Sequence, residues 1–291
     1  MLKRLKQILK VILQGMLVII ISVSFALSLR IFLFASFKVP SLSMVPAIEA
    51  GDYILVNKLV PGPRVYKNFD FLKGKKVETR RFKGVRPVKR NDVLVFNFLY
   101  AHNWNKIEMD LNVVYVKRCL AIPGDTVFID HAIYKVKGVS DTLGYFPYQQ
   151  QLSKKKKEEI IPGTYQCFPF DTIHYNWNIK KFGPLYVPRA GDRITLDTIN
   201  YRLYRNLIEY ETDKKISIDS GQVCLDGQAL KAYSFKQNYY FMAGDWIWDS
   251  KDSRYWGLLP EDHIIGKAWL IWKSKDPVSG KYRWKRFFYK L

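Results

Sequence analysis

From Val11 to Leu29 the chain runs 19 residues without a charged side chain, and beyond Arg30 the apolar character resumes from Ile31 to Phe37. A helix needs about 20 apolar residues to cross the hydrocarbon core of a bilayer. A secretory signal peptide has an apolar run of only about 7–15 residues that ends at a small-residue site, and no Ala-x-Ala follows this one. A soluble core helix this apolar on every face would be unusual. The segment 11–36 therefore reads as an uncleaved transmembrane anchor. Lys3, Arg4, Lys6 and Lys10 precede it, which puts segment 1–10 in the cytoplasm by the positive-inside rule. No second apolar stretch of comparable length occurs. The rest of the chain is thus expected on the periplasmic or outer face of the inner (cytoplasmic) membrane, behind a single pass.

The 291 residues allow one or two domains with a real core. An apolar share of 48%, with 15% aromatics, excludes a disordered chain. The formal charge of +21 favours an anionic partner. The basic residues are dispersed, without zinc-finger spacing, a basic zipper or an aromatic RNA-binding signature. A phospholipid bilayer is the expected partner, and nucleic acid is not. Cys119, Cys167 and Cys224 are too few for a disulfide framework or metal cage and read as ordinary thiols, one pair of which has the option of bridging in an oxidising compartment. His102, His131, His174 and His263 show no metal-ligand spacing. No metal or cofactor is expected, and the oligomeric state stays open.

After the anchor the pattern is mainly β. Tyr53–Val56, Asp92–Phe98, Val113–Ile122 and Ala268–Trp272 are rich in β-branched and aromatic residues, and turn signals at Ala50-Gly51-Asp52, Pro123-Gly124-Asp125 and Asp226-Gly227 separate such runs. One short helix is expected over Tyr201–Glu211. The stretch Lys154–Glu159 reads as a solvated loop.

Three segments carry chemistry. In Val39-Pro40-Ser41-Leu42-Ser43-Met44-Val45-Pro46 two prolines flank two serines, which predicts a rigid, extended segment. A serine held there serves as a nucleophile if a base takes its proton, although most serines between prolines are loop residues. In Val113–Ile122, period two puts Lys117 on one face with Val113, Tyr115, Cys119 and Ala121. Burial there would lower its pKa from about 10.4, as a neutral general base requires; the competing reading extends Lys117 to solvent at an edge. In Ser250-Lys251-Asp252-Ser253-Arg254, Asp252 and Arg254 either share a strand face or bracket a turn and pair.

Together these segments resemble the bacterial type I signal peptidases. Residues 39–59 look like that family's Pro-Ser-x-Ser-Met-x-Pro motif, followed by Gly-Asp and a valine-rich strand ending in Lys58. Arg90-Asn91-Asp92-Val93-Leu94-Val95-Phe96 is similar to its Arg-Gly-Asp-Val-Val-Val-Phe strand, with Asn91 in place of glycine. Tyr115-Val116-Lys117-Arg118 through Pro123-Gly124-Asp125, and Ser250 through Gly257, match its later motifs. The resemblance implies an antiparallel β-sheet catalytic domain, built from 37–125 and 237–291, with an inserted β-rich cap region at 126–236. It implies a serine endopeptidase that cleaves signal peptides from preproteins. Ser43 would be the nucleophile and Lys117 the general base. The Ser41 hydroxyl and the Ser43 backbone N–H would form the oxyanion hole. Ser250 would hold the lysine amine, Asp252 and Arg254 would form a supporting ion pair, and Tyr115 would shape the site.

Two departures stand out. Trp246-Ile247-Trp248 replaces the polar Asn-Arg-Asp that the family usually carries after Gly-Asp, and Ala47 stands where threonine is common. The tryptophans are open to three readings: altered substrate pockets, a surface set deeper in the bilayer interface, or an inactive membrane-anchored paralogue that binds without cleaving. The basic and aromatic stretch Lys281–Lys290 suits a final strand lying on anionic lipid or a plain edge strand. A self-cleaving repressor of the SOS-response type shares a serine–lysine core, but the anchor and the lack of a DNA-binding helix pair speak against it.

Overall fold

The computed structural model describes residues 2–73 and 76–291. Helix α1 (Leu2–Ser28) continues through one wide turn at Leu29–Leu33 and passes directly into strand β1 (Phe34–Lys38). Within the span Lys3–Leu33 the most apolar window has a mean hydropathy of 2.4, and none of that window is buried by the rest of the chain. At 1.5 Å per residue α1 is about 40 Å long, enough for a hydrocarbon core of about 30 Å. In the wide turn that follows it, Arg30 O and Ile31 O accept from Lys58 Nζ at 2.7 and 3.2 Å.

The central sheet adds β2 (Asp52–Asn57), β3 (Val93–Phe98), β4 (Asp110–Ala121), β5 (Tyr239–Ala243), β6 (Leu259–Pro260), β7 (Ile264–Ser274) and β8 (Tyr289–Lys290). The strand order is β1-β2-β7-β3-β4-β5-β6, with β8 on β7 and every pair antiparallel. All six residues of β3 are buried, as expected of a central strand covered on both faces. One row of paired residues crosses the sheet: Phe34, Asn57, Lys267, Leu94 and Lys117. From that row, the part of β4 toward Asp110 runs in the direction from which α1 enters. The part toward Ala121 runs the opposite way.

Two apolar clusters hold the sheet. On one side Val39, Met44 and Ile48 pack onto Ile54, Val56, Val93, Val95, Val116, Ala268 and Ile271. A larger cluster joins the sheet to residues 126–236, where the strand Thr126–Asp130 lies between Ile133–Val136 and Lys181–Tyr186. Three further helices are α2 (Phe146–Lys154), α3 (Tyr201–Thr212) and the single turn α4 (Ser253–Trp256).

Two local expectations fail. Residues 39–46 are not extended throughout: from Leu42 the chain turns, with Val45 N donating to Leu42 O (3.0 Å) and Ile48 N to Met44 O (2.9 Å). The cause is tertiary. Met44 and Ile48 are both fully buried, and a helical turn sets residues four apart side by side, about 6 Å apart, where an extended chain would spread them about 13 Å apart. Burying each contributes about 1.5–3 kcal/mol, more than the proline preference for an extended chain. Likewise, only Tyr289–Lys290 of the basic C-terminal stretch forms strand. Arg283 and Arg286 turn inward onto Glu49 (2.6 and 2.9 Å) and onto the fully buried Asp52 (3.4 and 2.6 Å), because a buried carboxylate needs partners. Trp284, Phe288 and Tyr289 stay exposed.

Candidate active site

Ser43 is held from below and behind. Met44 next to it is anchored in the apolar cluster, and the loop is closed at its base by Val39 N donating to Asp52 O and Gly51 N to Val39 O, both 2.8 Å. Above it runs β4, with Lys117 only 4% exposed. Lys117 Nζ lies 2.5 Å from Ser43 Oγ, in hydrogen-bond contact across 74 residues of sequence. The Tyr115 ring walls one side of the amine, with Nζ 5.3 Å from its centroid, and is itself stacked on Phe98 at 4.6 Å. Burial lowers the Lys117 pKa to about 8; Asp252 and Asp245 oppose the shift and Arg254 assists it. A proton on this amine is therefore lost far more easily than in water, and a neutral amine can accept the serine proton.

Ser41 Oγ lies 3.4 Å from Ser43 Oγ on the exposed side. Ser250 is 3% exposed, and its buried hydroxyl has no hydrogen-bond partner among the described residues. It reaches the neighbourhood of Ser43 through Gly244: a Cβ added there would stand 2.2 Å from Ser250 Oγ and 2.5 Å from the Ser43 carbonyl oxygen. Only glycine allows this three-way approach. Gly244→Ala is therefore expected to destabilise the fold by about 1–3 kcal/mol and to lower kcat more than it raises KM, which unfolding midpoints and steady-state kinetics will read.

Asp252 and Arg254 pair around a turn rather than along a strand. Asp252 caps α4, and its carboxylate takes both Nε and Nη2 of Arg254 at 2.8 Å, with both side chains fully buried. The same carboxylate accepts from Gly244 N at 3.0 Å, and Arg254 Nη1 donates to Ile247 O at 3.1 Å. The pair thus fixes the 244–250 loop from beneath. The motif reading had assigned no role to Arg118 and Asp245, which clamp the same loop to β4 through contacts of 2.7 and 2.5 Å.

Asn91 explains its own departure. Its φ is +66°, a backbone region that glycine enters freely and asparagine tolerates. Its side chain accepts from Gly144 N (2.9 Å) and donates to Thr142 O (2.8 Å), tying the 142–144 loop to the sheet. Trp246-Ile247-Trp248 faces α2: Ile247 is buried, and both tryptophans are partly buried against Tyr148, at ring distances of 5.2 and 6.2 Å. Cys119, Cys167 and Cys224 are buried free thiols. A larger cleft of about 830 Å3, between residues 101–112 and α3, contains neither Ser43 nor Lys117.

β4 pairs with β3 along Asp110–Arg118 but with β5 only from Arg118 to Ala121. Among the described residues no strand covers its other edge from Leu111 to Lys117. A buried amine thus lies on a serine hydroxyl beside an open strand edge.

The model of the family described as signal peptidase, peptidase S26, matches residues 12–273, and the chain belongs to that family of signal-peptidase enzymes. It is similar to Signal peptidase I of Pseudomonas aeruginosa, 29% identical over 86% of this chain and 69% of that one. The Haemophilus influenzae protein of that name is 27% identical over 89% and 70%, and the Buchnera aphidicola (Schizaphis graminum) protein 26% identical over 87% and 72%.

Proposed function

We propose that this chain is a membrane-anchored endopeptidase that removes signal peptides from exported preproteins, with Ser43 as nucleophile and Lys117 as general base. The contact of 2.5 Å between Lys117 Nζ and Ser43 Oγ, in a buried setting, carries this reading. The neutral amine takes the hydroxyl proton as Oγ attacks the scissile carbonyl, and the ammonium then returns it to the departing amine of the mature chain. Water repeats the sequence on the acyl-enzyme. The Ser41 hydroxyl and the Ser43 N–H receive the oxyanion, each such donor being worth about 10²–10³ in turnover. Ser250, whose hydroxyl has no partner among the described residues, supplies the acceptor that orients the amine once Lys117 Nζ turns from Ser43, and Tyr115 keeps water from it. The preprotein lies along the open edge of β4 as an added strand.

Segment 1–10 stays cytoplasmic and the catalytic domain faces the periplasmic or outer side of the inner membrane. Supporting this placement, Trp269 and Trp272 sit exposed beside β1: Trp269 stacks on Phe34, and Trp272 Nε1 donates to Ser36 Oγ at 2.8 Å. Tryptophans so close to the end of an apolar helix suit the headgroup layer.

The full chain in detergent micelles should cleave a preprotein at one bond after a small residue. Its kcat/KM should climb about tenfold per pH unit and level off above pH of about 8, where Lys117 is neutral. No cleavage, or a profile flat from about pH 6 to 9, would overturn the assignment.

A further inference from the structure

Trp246 is bound to the nucleophile itself: its backbone N–H donates to the Ser43 carbonyl at 3.1 Å. Its side chain opens a cleft of about 370 Å3, shared with Trp248, Leu152, Ile160, Ile161 and Ile179. The lining is mainly apolar; Gln151, Lys155 and Glu159 complete it, with Lys155 Nζ 4.9 Å from the Trp248 ring centroid. The cleft lies on the side of Lys117 toward Arg118 and Asp245. By the register of the sheet that side points away from the anchor, whereas the open edge of β4 runs toward it. A substrate whose apolar segment is embedded in the bilayer must approach along the anchor side. The chain beyond the cut bond then leaves toward the tryptophans.

We propose that this cleft is a specificity subsite for a large apolar side chain of the mature polypeptide, within the first few residues after the cleaved bond. The inference rests on the peptidase reading above. Polar residues at 246 and 248 would leave no such surface. Here two indole rings, braced by Tyr148 of α2, supply a slot that a leucine or phenylalanine fills and from which alanine gains little. Lys155 and Glu159, of opposite charge, both line it, so the slot selects on apolar surface rather than on charge.

The test is a set of preprotein-derived peptides with a fixed signal segment and an alanine-rich mature segment, in which leucine, phenylalanine or lysine is moved through the first four downstream positions. With the full chain in micelles, one position is expected to raise kcat/KM roughly tenfold for leucine or phenylalanine over alanine, and lysine there to give no such gain. Trp248→Asn should erase that ratio. Ile161→Asn, at a half-exposed position on the same wall, should at least halve it and guards against a Trp248 variant that fails to fold. A flat profile in the wild type, or an unchanged ratio in the Ile161 variant, overturns the subsite while leaving the peptidase reading intact. A wild type that cleaves none of the peptides overturns both.

Discussion

Lys117→Met is expected to abolish turnover while making the folded protein more stable. The two effects share one cause. The buried amine has its pKa lowered to about 8 from 10.5, so the folded protein holds it neutral at pH values where the unfolded chain would protonate it. Between about pH 8 and 10.5 the unfolded state binds more protons, and stability rises with pH across that window. Below it the native state carries a penalty of about 3 kcal/mol relative to an unshifted lysine. Methionine fills similar volume without a charge to desolvate, so a gain of about 1–3 kcal/mol at neutral pH is expected, together with loss of the slope between pH 8 and 10.5. Denaturant unfolding at both ends of the window measures this. For activity, Lys117→Met and Ser43→Ala should each lower kcat by about 10⁴–10⁶, and the double variant should be no worse than either alone, since a nucleophile and its base act as a unit. Residual turnover within tenfold of wild type in either single variant would refute the pair.

The halves of this pair were legible to very different degrees. The anchor and most of the sheet follow from local pattern. The uncharged run is long enough to span a bilayer, and Tyr53–Val56 and Asp92–Phe98 fall inside or almost inside observed strands. Helix α3 shows its buried face as Leu203, Tyr204, Leu207 and Ile208, the spacing of an amphipathic helix. Helix α2 escaped because its buried face includes Gln149, which accepts from Tyr134 N at 2.9 Å and donates to Leu143 O at 2.6 Å. A glutamine satisfied by distant backbone leaves no apolar period to find. Nothing in strand periodicity could say that Lys117 meets Ser43 rather than solvent. That link came from the order of motifs, and the geometry supplies its physical content. The setting of Trp246 and Trp248 was likewise hidden, since their bracing ring, Tyr148, belongs to the helix that could not be read.

The second large effect concerns the ion pair beneath the loop. Arg254→Met leaves the Asp252 carboxylate fully buried without its two 2.8 Å contacts, and Asp252→Asn strands the guanidinium in the same way. Each is expected to cost about 3–5 kcal/mol, the usual penalty for uncompensating a buried charge. Stability alone would not separate a scaffold from an electrostatic role, because both variants lose it. The pH–rate profile does. Asp252 favours the protonated form of Lys117 and Arg254 disfavours it. With Arg254 gone, the remaining carboxylate should raise the lysine pKa and push the alkaline plateau to higher pH. With Asp252 made neutral, the remaining guanidinium should lower it and bring the plateau to lower pH. Opposite displacements in two equally destabilised variants are what a field acting on Lys117 produces. The double variant Asp252→Asn/Arg254→Met should lose less stability than the sum of the singles, because residues in one ion pair couple, and its profile should return toward that of the wild type. Shifts of the same sign in both singles would show that the pair acts only by holding the 244–250 loop in place.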